Sequence, residues 1–187
     1  METEIKLRLA RAAQAKPLLA RLGFRIVKRR VFEINLVFDT VSSALRQGRM
    51  LLRLREAGRV NTITFKGPPV GGRHKSREEV ETEFADFASM QRILMDLGFR
   101  PAFRYEKYRT EFAAAGASGV VMLDETPIGD FLELEGAPRW IDRTAQALGF
   151  AHSDYITASY GRLYLDYCVE KGIDPSNMTF GRRRQRA

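Results

Sequence analysis

Polar and apolar side chains alternate one by one along much of this chain. At its start, Glu2, Glu4 and Lys6 alternate with Ile5 and Leu7. A period of two places successive side chains on opposite faces of a β-strand. The first residues therefore predict a strand with one polar face and one apolar face.

The same alternation returns in several later segments of the chain. It covers residues 52–55, 62–66, 77–83, 107–109, 122–124 and 132–135. A further strand is predicted from Phe24 to about Phe38. Roughly eight strands are enough to close a barrel. We therefore predict an α+β fold, a closed, mainly antiparallel, eight-stranded β-barrel with helices packed outside it.

Four helices are predicted between and after the strands. The first covers residues 10–22, and the second runs from a capping Asp86 to residue 97. The third begins at Pro138 and ends at residue 148, and the fourth covers residues 153–169. The first three end in the same tripeptide, Leu-Gly-Phe, whose glycine suits a left-handed C-cap.

Composition narrows the class of protein. The chain has 187 residues, enough for one domain with a sizeable core. Its single cysteine, Cys168, excludes an internal disulfide framework and a multi-cysteine zinc site. No apolar run is long enough to span a membrane, and the N-terminus has no signal peptide. We expect a cytoplasmic protein with no membrane partner.

The net charge of +8 indicates an anionic partner. Half of it comes from the last six residues, because without Arg182, Arg183, Arg184 and Arg186 the charge is 8 − 4 = +4. We therefore predict a domain over residues 1–171 and a basic, disordered tail over residues 172–187. A solvated tail is a better interpretation than a nucleic-acid contact, so no nucleic-acid partner is expected.

The charged residues lie on the polar faces of the predicted strands. If the apolar faces pack outward against helices, the polar faces meet inside the barrel. Burying many charges without compensation costs several kcal/mol per ion. Such an interior is reasonable if it stays wet and binds a ligand of both characters, because carboxylates bind a hard divalent cation and basic side chains bind phosphate.

A sheet with one solvated face would show the same alternation. Against this alternative, several like charges stand two residues apart in one strand, such as Arg53 with Arg55 and Glu133 with Glu135. Neighbouring like charges repel each other on an ordinary surface. A site that concentrates each sign of charge for a ligand explains them better.

The stretch Glu2-Thr3-Glu4-Ile5-Lys6 resembles the ExExK signature of the CYTH superfamily, the triphosphate tunnel metalloenzymes. That superfamily includes class IV adenylate cyclases, thiamine triphosphatases and inorganic tripolyphosphatases. ExExK alone is a weak signal, but the agreement continues in order over residues 2 to about 167. The matching segments are Phe38-Asp39-Thr40, Leu52-Arg53-Leu54-Arg55, Thr64-Phe65-Lys66-Gly67, Arg77 with Glu79 and Glu81, Lys107-Tyr108-Arg109, Leu123-Asp124, residues 129–135 and Ser159-Tyr160.

The resemblance implies a role for each charged residue. The metal ligands, for Mg²⁺ or Mn²⁺, would be Glu2, Glu4, Glu79, Glu81, Asp124, Glu133 and Glu135. The phosphate-binding residues would be Lys6, Arg53, Arg55, Lys66, Arg77, Lys107 and Arg109. Lys66 is also the catalytic candidate, since some triphosphatases are thought to activate water with a lysine–tyrosine pair. Here the strand expected to carry that tyrosine reads Leu36-Val37-Phe38, so the general base stays open.

The resemblance implies a metal-dependent enzyme that hydrolyses the terminal phosphate of a triphosphate. Thiamine triphosphate, a nucleoside triphosphate and tripolyphosphate are all candidate substrates. A class IV adenylate cyclase, which converts ATP to cyclic AMP and pyrophosphate, is the alternative. A non-catalytic module that binds polyphosphate or RNA is a third hypothesis. The expected assembly is a monomer or a homodimer.

The glycine- and proline-rich segment 67–72 is a flexible loop rather than a P-loop, because no Gly-Lys-Ser/Thr follows it. Folding of the next three residues, Arg73, His74 and Lys75, over the barrel mouth is a less favoured alternative. His74 and His152 are too few for a histidine-rich metal site. We expect both on the surface, and we expect Trp140 to pack in the core.

Overall fold

A computed structural model of the protein describes residues 1–181. Its centre is one antiparallel sheet of nine strands, in the order β5-β1-β9-β8-β7-β2-β3-β4-β6. The predicted α+β class is therefore confirmed. The strands are β1 (Glu2–Leu9), β2 (Arg25–Thr40), β3 (Leu51–Ala57), β4 (Val60–Lys66), β5 (Lys75–Arg77), β6 (Glu79–Phe84), β7 (Phe99–Ala113), β8 (Gly119–Thr126) and β9 (Gly129–Gly136).

The two edges of the sheet meet in consecutive residues of the chain. β5 pairs with β1, β6 pairs with β4, and Glu78 alone separates β5 from β6. The backbone N–H of Gly67 bonds the carbonyl of Glu78 at this point. The sheet is thus joined covalently at Glu78 but is not closed by hydrogen bonds. The barrel thus has nine strands rather than the predicted eight, because the strand predicted over residues 77–83 is divided between β5 and β6, and the chain itself rather than hydrogen bonding closes it at Glu78.

Five α-helices accompany the sheet: α1 (Ala15–Arg21), α2 (Ala44–Gln47), α3 (Phe87–Asp96), α4 (Pro138–Ala147) and α5 (Tyr160–Lys171). Asp86 caps α3, as predicted. Gly23, Gly98 and Gly149, the glycines of the three Leu-Gly-Phe tripeptides, have φ angles of +83°, +95° and +88°. They take the left-handed conformation that the sequence predicts, which side chains with a Cβ rarely adopt.

The fourth predicted helix, α5, begins later than expected. Residue 153 was the predicted start, but the backbones of Ile156 and Lys6 exchange two hydrogen bonds of 2.9 and 2.8 Å. This pairing holds the chain extended until the side chain of Ser159 caps the helix by accepting from the N–H of Arg162. Among the described residues, no helix is both long and apolar enough to cross a membrane.

The apolar faces of the strands pack outward on the helices. One cluster joins β1, β8 and β9 to α1 and α4, with Leu7, Leu134 and Ile141 fully buried. A second lies between β2, β3 and α3. A third is on the inner side, where Tyr160 of α5 packs against Phe131 and Tyr105. The start of α5 therefore fills one end of the barrel.

Residues 172–181 differ from the disordered tail that the sequence predicts. Met178 and Phe180 are buried, and the backbone of Met178 bonds that of Arg104 and of Glu106. The ring of Phe180 packs on Tyr108 with centroids 5.3 Å apart. Met178 packs in the third cluster and Phe180 packs on β7, so the segment belongs to the fold. The arginine run lies in residues 182–187, outside the described part of the chain.

Candidate active site

The strand register brings the predicted charged residues onto the inner face of the sheet. Glu4 lies opposite Glu135, and Arg109 lies opposite Asp124. Side-chain burial agrees with this placement on the inner face. The buried members of the predicted set are Glu4, Lys6, Arg53, Arg77, Lys107, Arg109, Asp124 and Glu133.

Asp124 is the centre of the most buried group. Its side chain is fully buried and accepts hydrogen bonds from Lys107 Nζ (2.8 Å), from Arg109 Nη2 (2.6 Å) and Nε (2.7 Å), and from the hydroxyl of Tyr160 (2.7 Å). Burial opposes ionisation, but Arg109 and Lys107 outweigh it and lower the pKa of Asp124. In this structure Asp124, a predicted metal ligand, is thus the counter-ion of two cations.

Beside this group, Lys6 lies between two carboxylates. Its ammonium is 3.1 Å from Glu4 Oε1 and 3.5 Å from Glu133 Oε2. Lys75 also contacts Glu4, and Arg109 Nη2 is 3.3 Å from Glu133. Burial opposes the ionisation of Glu133, but Lys6 and Arg109 hold its pKa well below the usual range. Acidic and basic groups therefore alternate in space across the barrel interior.

A second group holds negative charge that the cations do not fully balance. Lys66 Nζ contacts Glu2 (2.6 Å) and Glu79 (2.8 Å). Burial and a hydrogen bond to Glu79 raise the pKa of Glu2. Burial, Glu2 and Glu133 raise the pKa of Glu135 to about 7. Carboxylates that repel one another in this way favour binding of a proton or a cation.

These carboxylates fit a hard divalent cation by donor type, since oxygen ligands are what Mg²⁺ and Mn²⁺ prefer. Within residues 1–181, no three His, Cys, Asp or Glu side chains are already grouped around one point as metal ligands. The fit therefore rests on the charge of Glu2 and Glu135, with Glu79 beside them. Burial opposes the ionisation of Glu79, but hydrogen bonding to Glu2 and the charge of Lys66 lower its pKa. Of the remaining predicted ligands, Glu81 is the most exposed, and it faces Arg53 at 3.5 Å.

Arg53 and Arg55 each have their own partners. Arg53 Nη2 donates to Thr64 Oγ1 at 3.0 Å. Arg55 Nε donates to Asn35 Oδ1 at 2.9 Å and is 3.4 Å from Glu33. The sequence placed the two arginines correctly on one face but missed these partners.

Arg77 is a predicted phosphate-binding residue with an unused donor. Its side chain is buried, and its Nε, like that of Arg53, has no hydrogen-bond partner in the described part of the chain. A buried donor without an acceptor costs free energy, which an incoming anion would recover. Arg77 therefore suits an anionic ligand.

Sequence reasoning missed several residues that line the site. Glu33 and Asn35 are buried on β2, and Glu33 is 3.5 Å from Lys107. Tyr105 is buried on β7, on the same face of the strand as Lys107. The two-residue period that identified Lys107 and Arg109 extends back to Tyr105 and would have identified it. Glu33 and Asn35 are also two residues apart, so the same period applies to them.

The barrel opens into a cavity of about 1040 Å³. Arg46, Arg49 and Arg162 stand on its wall beside the aromatic rings of Phe103 and Tyr105. Residues 69–72, 74 and 75 line it as well, as in the less favoured alternative for this loop.

This loop is anchored outside the barrel. His74 Nε2 lies 2.8 Å from Asp142 on α4, and the hydroxyl of Tyr155 donates to the same carboxylate at 3.0 Å. His152 is exposed, as expected, while His74 is mostly covered. Trp140 packs on Phe24, as the sequence predicted.

The chain is similar to known proteins in sequence and in fold. The family profile of the CYTH domain matches residues 1–148. A candidate adenylate cyclase of Methanocaldococcus jannaschii is 29% identical over 135 residues, which are 72% of this chain and 76% of that protein.

Two solved structures share the fold. One is a candidate adenylate cyclase from Vibrio parahaemolyticus, with a TM-score of 0.76 and 20% identity, over 87% of this chain and 96% of that chain. The other is a candidate adenylyl cyclase from Hippeastrum, reported to have a dominant triphosphatase activity, with a TM-score of 0.63 and 20% identity. It covers 94% of this chain and 98% of that chain.

Proposed function

Because the chain belongs to the CYTH domain family, we propose that it is a divalent-metal-dependent enzyme that hydrolyses the terminal phosphate of a triphosphate inside the barrel. The observation that carries this proposal is the presence of both signs of charge in one interior. Buried cations, among them Arg53 and Arg77, line it together with carboxylates around Glu135 whose charge the cations do not fully balance. A metal–triphosphate complex also carries both signs of charge, because the metal ion is positive and the phosphates are negative.

The cations would bind and orient the phosphates. Lys107 and Arg109 are fixed by Asp124 before any ligand arrives, so little reorganisation is needed when negative charge builds up on phosphoryl oxygens. Arg53 and Arg55 stand two residues apart on one strand, about 7 Å along it, which suits contacts to neighbouring phosphates. Lys66, the predicted catalytic residue, stands between the carboxylates of Glu2 and Glu79.

The carboxylates of Glu2, Glu79 and Glu135 would hold the Mg²⁺ or Mn²⁺ ion. When bound, such an ion neutralises phosphate charge and polarises the oxygens that coordinate it. Its arrival would also offset the burial and the repulsion by Glu2 that raise the pKa of Glu135. The roles of Glu4, Glu81 and Glu133 as further ligands remain predictions.

An adenylate cyclase is the second candidate function. The observation that favours it is the cavity at the barrel mouth, which combines aromatic rings with arginines and has room for the organic part of a nucleotide. Relatives in two comparisons also carry a cyclase name. Cyclisation would produce cyclic AMP and pyrophosphate, whereas hydrolysis would produce ADP and phosphate.

A product assay distinguishes the two reactions. We expect ADP and free phosphate from ATP, and free phosphate from tripolyphosphate, when magnesium or manganese is added. Chelation should abolish turnover, because the interior carboxylates then repel the substrate as well as one another. Cyclic AMP as the main product would support the cyclase instead. Full turnover after exhaustive chelation, or no turnover of any triphosphate, would remove the proposal.

Arg53→Ala tests the phosphate-binding face. Loss of one charge-assisted contact costs about 1.5–3 kcal/mol, so kcat/KM should fall about tenfold to a hundredfold. The stabilisation of the protein by metal and tripolyphosphate in thermal melts should shrink as well. Arg59→Ala is the matched control, because Arg59 is exposed in the turn after β3 and should change neither quantity. Equal behaviour of the two variants would show that Arg53 does not contact the ligand.

A further inference from the structure

Tyr105 stands where the charged interior meets the mouth cavity. It lies on the inner face of β7, only 6% exposed, and forms part of the cavity wall. Its ring packs against Phe103 and Tyr160, with centroids 5.8 and 6.1 Å away. Its hydroxyl accepts a hydrogen bond from Arg53 Nη1 at 3.3 Å. The ring is therefore held firmly, while the oxygen faces a phosphate-binding arginine.

Cations surround this phenol. Arg53 and Arg55 face it from β3, and Lys107 stands beside it on β7. The other groups around it are Asn35 and Glu33 of β2, Tyr160 of α5 and, through Arg53, Glu81 of β6. Burial opposes the loss of the proton, but Arg53, Arg55 and Lys107 outweigh it and lower the pKa of Tyr105 to about 8. Compared with an ordinary tyrosine, the phenolate is about a hundredfold more populated near neutral pH.

The neighbouring phenol, Tyr160, has the opposite environment. Burial and the charge of Asp124 raise its pKa well above the usual range, and its hydroxyl donates to that carboxylate. When the surroundings shift the pKa values of two neighbouring titratable groups in opposite directions, the two groups typically have different roles in the site. Tyr160 keeps its proton as a structural donor, whereas Tyr105 can release one.

We propose that Tyr105 is the general base that accepts the proton of the attacking hydroxyl group, and this inference rests on the proposed function. As the attacking oxygen forms its bond to phosphorus, its O–H bond breaks and the proton passes to the phenolate oxygen. The bond from phosphorus to the leaving phosphate oxygen breaks with its electron pair. Arg53 then plays two parts, since it stabilises the phenolate before the step and faces the phosphates during it.

The same assignment serves hydrolysis and cyclisation. In hydrolysis the attacking group is water, and in cyclisation it is a hydroxyl of the substrate. Lys66, the catalytic candidate from the sequence, donates to both Glu2 and Glu79, so its contacts in this structure are those of a charge partner. The hydroxyl of Tyr105 instead accepts a hydrogen bond from Arg53, and its side chain lines the cavity.

The test is the pH dependence of Tyr105→Phe, which keeps the ring and removes the hydroxyl. For the wild type, kcat/KM should rise with pH through an apparent pKa near 8, because kcat/KM reports the free enzyme. In the variant, kcat/KM should no longer rise with pH in this range. Its kcat should be lower by about 100-fold to 10,000-fold, the usual contribution of a general base. Affinity for an imido analogue of the better substrate, with magnesium, should stay within about threefold.

Two further variants separate the role of the Tyr105 hydroxyl from general effects on the fold. Tyr167→Phe removes a hydroxyl from the same aromatic cluster and should leave turnover unchanged, which controls for the loss of a hydroxyl near α5. Fluorotyrosine at position 105 acidifies the phenol and should move the rising limb of the pH profile to lower pH. This second variant preserves the fold even if Tyr105→Phe does not.

The outcomes separate the two proposals. If the wild type turns over no triphosphate, the proposed function fails first. If the wild type is active but Tyr105→Phe keeps its rate within a few-fold, or keeps the same pH limb, Tyr105 is not the base. The assignment is also overturned if fluorotyrosine at position 105 leaves the rising part of the pH profile at the same pH. A loss of affinity for the analogue as large as the loss of rate overturns it as well.

Discussion

Asp124→Asn should lower the free energy of unfolding by about 3–5 kcal/mol, the usual cost of removing one partner from a buried ion group. Lys107, which is 1% exposed, and Arg109 would lose the charge that balances them. Urea denaturation measures the change. The control is Asp166→Asn, which breaks an exposed ion pair with Arg162 and should change stability little.

The acid dependence of stability should change in the same variant. Because the folded-state pKa of Asp124 is lowered, its stabilising contribution is complete above the ordinary value of 3.8 and is lost as the pH falls toward the lowered pKa. The wild type should therefore lose stability in that acidic range more steeply than Asp124→Asn. Parallel curves for the two proteins would contradict the assignment.

Tripolyphosphate gives a further readout of what Asp124 does. If the carboxylate is a counter-ion, an added anion without metal should stabilise the variant more than the wild type, because the anion takes over the charge of Asp124. If Asp124 is a metal ligand, as the family resemblance implies, the variant should instead lose the stabilisation that metal alone provides. The two roles thus have different signatures in the same thermal melts.

Truncation after Lys171 should destabilise the protein by about 3–6 kcal/mol, since it removes two buried side chains at about 1.5–3 kcal/mol each. Those side chains are Met178 and Phe180, and their loss uncovers Tyr108 and Phe32. Total stabilities of domains are about 5–15 kcal/mol, so this loss is a large fraction. Thermal and urea unfolding of the shortened chain measure it.

The matched control is truncation after Gly181. It removes only residues 182–187, the arginine run, and should leave the unfolding curve unchanged. If the longer truncation also leaves the curve unchanged, the packing of Phe180 on β7 contributes little. If the shorter truncation is as harmful as the longer one, the arginines themselves contribute to stability.

The sequence predicted the inner face of the sheet well, because side-chain direction in a strand is a local property. Lys107 and Arg109 share a face whatever β7 pairs with. Their partners were not predictable in this way, since contacts such as Arg109 with Asp124 depend on strand register. Register is set by pairing along the whole sheet.

Long-range contacts also explain the errors at the C-terminal end. Local pattern favoured a helix from residue 153, but backbone pairing of Ile156 with Lys6 overrode it. Likewise, the polar composition after residue 172 indicated a frayed tail. Met178 and Phe180 are the only large apolar side chains between Asp174 and Gly181, and their burial depends on a surface formed some 70 residues earlier, around Glu106.

The strand order has a consequence for synthesis on the ribosome. β1 is made first, but its long partner is β9, where Glu4 meets Glu135, and β5 offers it only three residues. The first strand must therefore wait, unpaired, while most of the chain is translated. An open strand edge invites pairing with other chains, and charged side chains discourage it. Glu2, Glu4 and Lys6 thus place charges on this strand that discourage such pairing long before the barrel interior that they line exists.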